Sequence, residues 1–202
     1  FKIRLTQPWL NGVIFWLAGF IYFITIKPGD KPSLLLGSSF LLSSMWLIAG
    51  GSLSSFHYLF SAEVLRFVGW LTLPVLFHFH AIFPNKLNIS PGAIFSIYIL
   101  TFSIGVIEIF GILDVGFFYY GLYFGIPIIA FLLLLQIWKG KEFRSISLLL
   151  LISLVFAAAP SFVTAILRNF STSGVFHANW ATLFSMPLFP IGYISAINIK
   201  SP

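Results

Sequence analysis

The sequence contains no cysteine and very little charge. Of its 202 residues 8% are Asp, Glu, Lys or Arg, whereas 59% are hydrophobic. Without cysteine, disulfides, thiol catalysis and Cys-ligated metals are excluded. Without more charge, a chain of this length cannot cover its surface as a soluble domain does. The mean hydropathy of +1.02 agrees. The few charges avoid the apolar runs and gather between them, as expected of a chain that sits in hydrocarbon. Catalytic signatures are missing too: there is no HExxH, no GxSxG in a strand–turn–helix setting, no P-loop and no productively spaced carboxylate pair. The chain is therefore not expected to be an enzyme. Its net charge of +6 is read as topology and head-group contact rather than nucleic-acid binding. The chain opens at Phe1 without Met and stops at Pro202, which suggests a processed chain or a fragment.

What is present is a series of seven apolar stretches, near Trp9–Ile26, Ser33–Ala49, Ala62–Phe83, Ala93–Leu113, Phe117–Trp138, Ile146–Leu167 and His177–Asn198. Crossing about 30 Å of hydrocarbon takes about 20 helical residues. The expected fold is thus an all-α, polytopic transmembrane bundle of seven helices in a single domain spanning 1–202. Turn chemistry separates the stretches, for example Lys27-Pro28-Gly29-Asp30-Lys31-Pro32 and Lys139-Gly140-Lys141-Glu142. The separator between Gly50 and Ser61 is apolar enough to blur its ends. Pro74, Pro127, Pro160, Pro187 and Pro190 fall inside stretches and read as tolerated kinks. No stretch alternates with the period of a barrel strand. The first lacks the small-residue cleavage site of a signal peptide. One side of the membrane collects Lys27, Lys31, Lys86, Lys139, Lys141, Arg144 and Lys200, the other Lys2, Arg4, Arg66 and Arg168. That asymmetry places the N-terminus outside and the C-terminus in the cytoplasm.

Two groups of polar residues stand out. His78 and His80 close the third stretch before Phe83-Pro84. At i and i+2 they point roughly 200° apart on a helix, so they cannot jointly chelate a metal, and at most one faces the interior. The plain reading is that one bonds a neighbouring helix and the other reaches toward the inner interface; a haem or chlorophyll ligand is the alternative. Phe83-Pro84 ends the helix, because proline restricts the residue before it. Glu108 is the acid deepest within a stretch, a functional candidate because a buried carboxylate is costly unless paired, protonated or hydrated. Arg66 and Arg168 lie toward the same outer side, with Glu63, His57, Asp114, Tyr119, Tyr120, Tyr123, His177 and Trp180. Aromatic residues at that depth form an interfacial belt or line a shallow pocket. Arg66, Glu108, Tyr120, His177 and Trp180 are the candidate ligand-binding residues. Elsewhere, Ser43-Ser44, Ser54-Ser55 and Ala157-Ala158-Ala159 suit close helix packing. The prolines do not recur in matching halves, as the broken helices of a transporter would.

Two strings carry a family resemblance. Phe77-His78-Phe79-His80-Ala81-Ile82-Phe83-Pro84 resembles the end of the third helix in multi-helix input domains of bacterial sensor histidine kinases. Leu183-Phe184-Ser185-Met186-Pro187-Leu188-Phe189-Pro190-Ile191-Gly192-Tyr193-Ile194-Ser195-Ala196-Ile197 resembles their last helix. The nearest resemblance is to the competence quorum-sensing kinase type, and it covers about the whole chain. The family histidine aligns with His78 or with His80. The basic residues that follow the last helix in the family are reduced here to Lys200. The resemblance implies a sensory input domain in the bacterial inner membrane, without catalytic activity of its own. It further implies a cytoplasmic effector, a kinase, and a homodimer. No cofactor is expected on this reading. The competing readings are a structural or haem- or chlorophyll-binding subunit of an electron-transfer complex, with His78 or His80 as ligand, and a small transporter.

Overall fold

Local chemistry marks where the helices begin and end. Asp30 accepts hydrogen bonds from the Ser33 hydroxyl (2.5 Å) and the Ser33 backbone N–H (3.4 Å), capping the helix that follows. Ser90 does the same for Ala93 N–H (3.2 Å), with Pro91 in the first turn where its missing N–H is harmless. Gly111 takes a left-handed φ of +67° just past a helix end, where a side chain would be strained. In the computed structural model, which describes residues 2–25, 30–49, 60–113, 117–170 and 184–200, these signals bound seven helices. They are α1 (Lys2–Thr25), α2 (Lys31–Ile48), α3 (Ser61–Ile82), α4 (Pro91–Ile109), α5 (Phe117–Lys139), α6 (Arg144–Phe170) and α7 (Leu188–Lys200). No strand occurs among the described residues.

Among the described residues three helices are long and apolar enough to cross a membrane: α1 from Pro8 to Thr25, α3 and α4. Tyr123–Lys139, Arg144–Pro160 and Leu188–Ile199 are apolar over shorter lengths. The last stretch differs most from its expected bounds near 177–198. Its first part lies outside the described residues, and α7 starts at Leu188 after a turn at Met186-Pro187. Pro187 and Pro190 lack N–H groups, so a regular ladder cannot run upstream through them. The first bonds are instead Phe189 N–H to Met186 O (3.1 Å) and Ile191 N–H to Pro187 O (3.2 Å).

α3 packs against α2, α4 and α5, while α7 packs mainly on α6. The buried core draws on α1, α2, α3, α5, α6 and α7, and aromatic rings fill the part to which α1, α2 and α7 contribute. Phe15 and Phe40 meet edge-to-face (5.9 Å), Phe189 stacks on Phe15 (5.9 Å), and Tyr193 stacks on Phe189 (4.1 Å). Such ring pairs contribute about 0.5–1.5 kcal/mol each beyond the area they bury. α7 lies so close to α6 that a Cβ on Gly192 would collide with the Ser153 side chain. α2 carries Ser39, Ser43 and Ser44 buried, and the Ser39 hydroxyl bonds back to Leu36 O (2.7 Å). The outward faces of α1, α4 and α5 carry exposed Trp16, Phe20, Phe95, Leu100, Phe131 and Trp138.

Candidate functional site

Helix α3 carries polar contacts near its middle and at its C-terminal end. Toward its C-terminus, Phe83 donates its N–H to Phe79 O (2.9 Å) and then turns extended, with φ −134° and ψ 141°. The carbonyls that a helix end leaves open need donors. Gln136 on α5 supplies them: its Nε2 donates to His80 O (2.6 Å), Phe83 O (3.1 Å) and Asn85 O (3.3 Å). Its Oε1 lies 3.5 Å from the Ser147 hydroxyl of α6. One amide thus joins the end of α3 to α5 and α6. Beside it, fully buried His80 places Nε2 2.9 Å from the Tyr193 hydroxyl of α7. The tautomer sets which of the two donates. Phe79 and Phe83 enclose the pair, with Phe79 5.8 Å from the Tyr193 ring. Phe83 and Pro84 are themselves buried, and the peptide between them is cis.

The two histidines take different surroundings. His80 points into the packing toward α7, and His78 lies half-buried on the α4 side, Nδ1 3.3 Å from the Tyr98 hydroxyl. Of the two, His80 is the one buried within the packing. Its Nε2 is engaged by Tyr193, while Nδ1 has no hydrogen-bond partner among the described residues.

Toward the N-terminal half of α3, Trp70 donates its indole N–H to Glu108 Oε2 on α4 (2.8 Å). Glu108 is 1% exposed, and its Oε1 meets no hydrogen-bond donor among the described residues. Arg66, one turn before Trp70 on α3, is half-buried and near enough for its charge to act on Glu108. Two glycines allow the large indole to fit. A Cβ on Gly105 would press against Phe67 (2.9 Å), and one on Gly121 against the Trp70 ring (3.2 Å). The Phe117 ring lies 6.0 Å from Trp70 and 5.6 Å from Tyr120. Tyr120 itself is 52% exposed and stacks on Phe124 (6.3 Å).

Of the five candidate ligand-binding residues, the structure brings Arg66 and Glu108 together and connects Tyr120 to them through Phe117 and Trp70. His177 and Trp180 lie outside the described residues, as do His57 and Asp114. The sequence reading missed Trp70, Gln136 and Ser147. Trp70 follows Arg66 by four residues, which puts both on one face of a helix. Gln136 is a lone amide inside Leu132-Leu133-Leu134-Leu135-Gln136-Ile137-Trp138, and an amide so placed seeks a partner on another helix. Both signals were on the page. The described residues contain no cluster of three or more metal-ligating His, Asp or Glu side chains. Comparison with protein-family models, with curated proteins and with solved structures finds no match.

Proposed function

We propose that the chain is a seven-helix membrane domain that takes up a signal at its outer end and passes it through its last helix to a cytoplasmic effector. The effector class is a histidine kinase, and the setting is the bacterial inner membrane, with the domain working as a homodimer. The Lys/Arg asymmetry supports an outer N-terminus and an inner C-terminus. The apolar outward faces of α1, α4 and α5 support contact with lipid.

One observation carries the reading: the buried His80–Tyr193 hydrogen bond fastens α7 to the same helix that holds Glu108 through Trp70. Trp70 and His80 are ten residues apart on α3, about 15 Å along its axis. A stimulus that prefers one placement of α3 against α4 biases the placement of α7 by the same free energy. No separate soluble sensing domain is needed. The experiment is to reconstitute the domain with its native effector in vesicles and compare effector output with and without stimulus. Tyr193→Phe removes the hydroxyl but keeps the ring, and it should shift basal output or flatten the response. A wild-type response in both Tyr193→Phe and His80→Gln would rule out this route.

A further inference from the structure

We propose that Glu108 is a buried proton-binding site: its carboxyl carries a proton while α3, α4 and α5 are packed as described, and releases it when that packing opens. The first observation is the asymmetry of its two oxygens. Oε2 accepts the Trp70 indole N–H at 2.8 Å, whereas Oε1 is buried and meets no donor among the described residues. The second is the space around them, since the Trp70 ring already presses on Gly121 and Phe67 lies against Gly105. Those rings take the space that side chains at Gly121 and Gly105 would need, and a proton needs no such room.

The balance of interactions favours the neutral acid. A bare carboxylate in apolar surroundings with one neutral donor keeps most of its desolvation penalty. With the proton on Oε1, Oε2 becomes the carbonyl oxygen, and the Trp70 N–H bonds it as before. What remains is a single unmade hydrogen bond, a much smaller cost than an uncompensated charge. The charged and titratable residues in the halves of α3 and α5 that begin nearest it are Glu63, Arg66, Tyr119, Tyr120 and Tyr123, while His78, His80 and Lys139 fall in the opposite halves. Arg66 is the cation that acts on Glu108, yet no guanidinium donor reaches Oε1. On opening, the O–H bond breaks, the proton passes to water at the outer end, and the carboxylate left behind is met by Arg66.

This inference does not rest on the sensory reading, because its readout is the same whether or not the chain drives an effector. The whole chain in lipid vesicles at neutral pH is compared with Glu108→Gln by infrared absorption. The expected difference is loss of a carboxylic-acid C=O stretch, which in Trp70→Phe moves to higher frequency as its hydrogen bond disappears. Loss of a carboxylate stretch instead would overturn the proposal. If Glu108→Gln does not fold, wild-type protein carrying 13C at the glutamate carboxyls gives the same answer. An acid band that moves to higher frequency in Trp70→Phe belongs to Glu108 and supports the site. Three carboxylate bands and no acid band would refute it.

Discussion

The C-terminal end and the middle of α3 hold polar side chains in opposite ways. At the C-terminal end Gln136 shares its two amide N–H groups among three carbonyls, and His80 bonds Tyr193 through Nε2, leaving only Nδ1 without a partner among the described residues. Near the middle of α3 a carboxyl that is also shielded from solvent is answered by a single indole N–H, with one oxygen left over. A network of neutral groups holds helices together even with one imidazole nitrogen left over, because an unmade neutral hydrogen bond costs far less than an unpaired charge. A half-answered carboxyl stores an unmet demand that a change in packing or protonation can relieve. The first place is built to hold, and the second to respond.

The largest expected effect is all-or-none and concerns which end faces which side. Single cysteines are clean probes in a chain with none of its own. Positions 141 and 200 are expected to label from the cytoplasmic side, and 114 and 171 from the outside. Labelling of position 171 only from the cytoplasm would exchange the two ends and remove the sensory reading with them. Next comes Gln136→Leu, which strips donors from three carbonyls at once. A loss of about 2–3 kcal/mol in detergent unfolding is expected, since each buried polar group left unmet costs about 1–3 kcal/mol and the carbonyls partly recover with water. Glu108→Gln keeps an acceptor for Trp70 and should cost under about 1 kcal/mol in the same assay. If Glu108→Gln proves the more damaging, the contrast between the two places is reversed.

A smaller, sharper comparison uses the histidines. His80→Phe and His78→Phe exchange the same groups two residues apart, but only His80 lies wholly within the packing. A difference of about 1–2 kcal/mol in unfolding free energy is expected, with His80→Phe the less stable, for a lost buried bond and a tight fit. Equal melting behaviour of the two variants would show that the latch adds nothing to stability. Smallest of all is Tyr98→Phe, which removes only the half-buried 3.3 Å contact to His78, and a change within about 0.5 kcal/mol is expected. A larger loss would mean that α4 is fastened to α3 as firmly as α7 is.

Helical segments were legible because apolar runs and turn residues alternate along the chain. The end of α3 was legible because Phe83-Pro84 cannot continue a helix. What each helix faces was harder to read, and α5 shows why. Phe131, Leu132, Leu133 and Leu134 are chemically alike, yet Leu133 is fully buried while Phe131 and Leu134 are 58% and 52% exposed. A helix that is apolar all round has no stripe from which to take its phase. Water sorts side chains by polarity, and lipid does not. For the same reason Glu108 draws notice as an acid inside an apolar run, whereas its partner, an indole 38 residues away, leaves no mark in the pattern. The Tyr193 hydroxyl is still more remote, 113 residues from His80. Among the described residues three helices meet the length and hydropathy of a span.

The cap on α3 has one further consequence. A helix ends in a cluster of partial negative charge, which proteins commonly answer with lysine or arginine. Here the answering group is an uncharged amide, although Lys86 and Lys139 lie close by in the sequence. Attractions between exposed charges weaken as dissolved ions screen them, over a distance of about 8 Å at physiological ionic strength. A buried amide offers the ions nothing to screen. The joint between α3, α5 and α6 should therefore hold its geometry from dilute buffer to strong brine, and it should be indifferent to the lipid charge at the membrane surface.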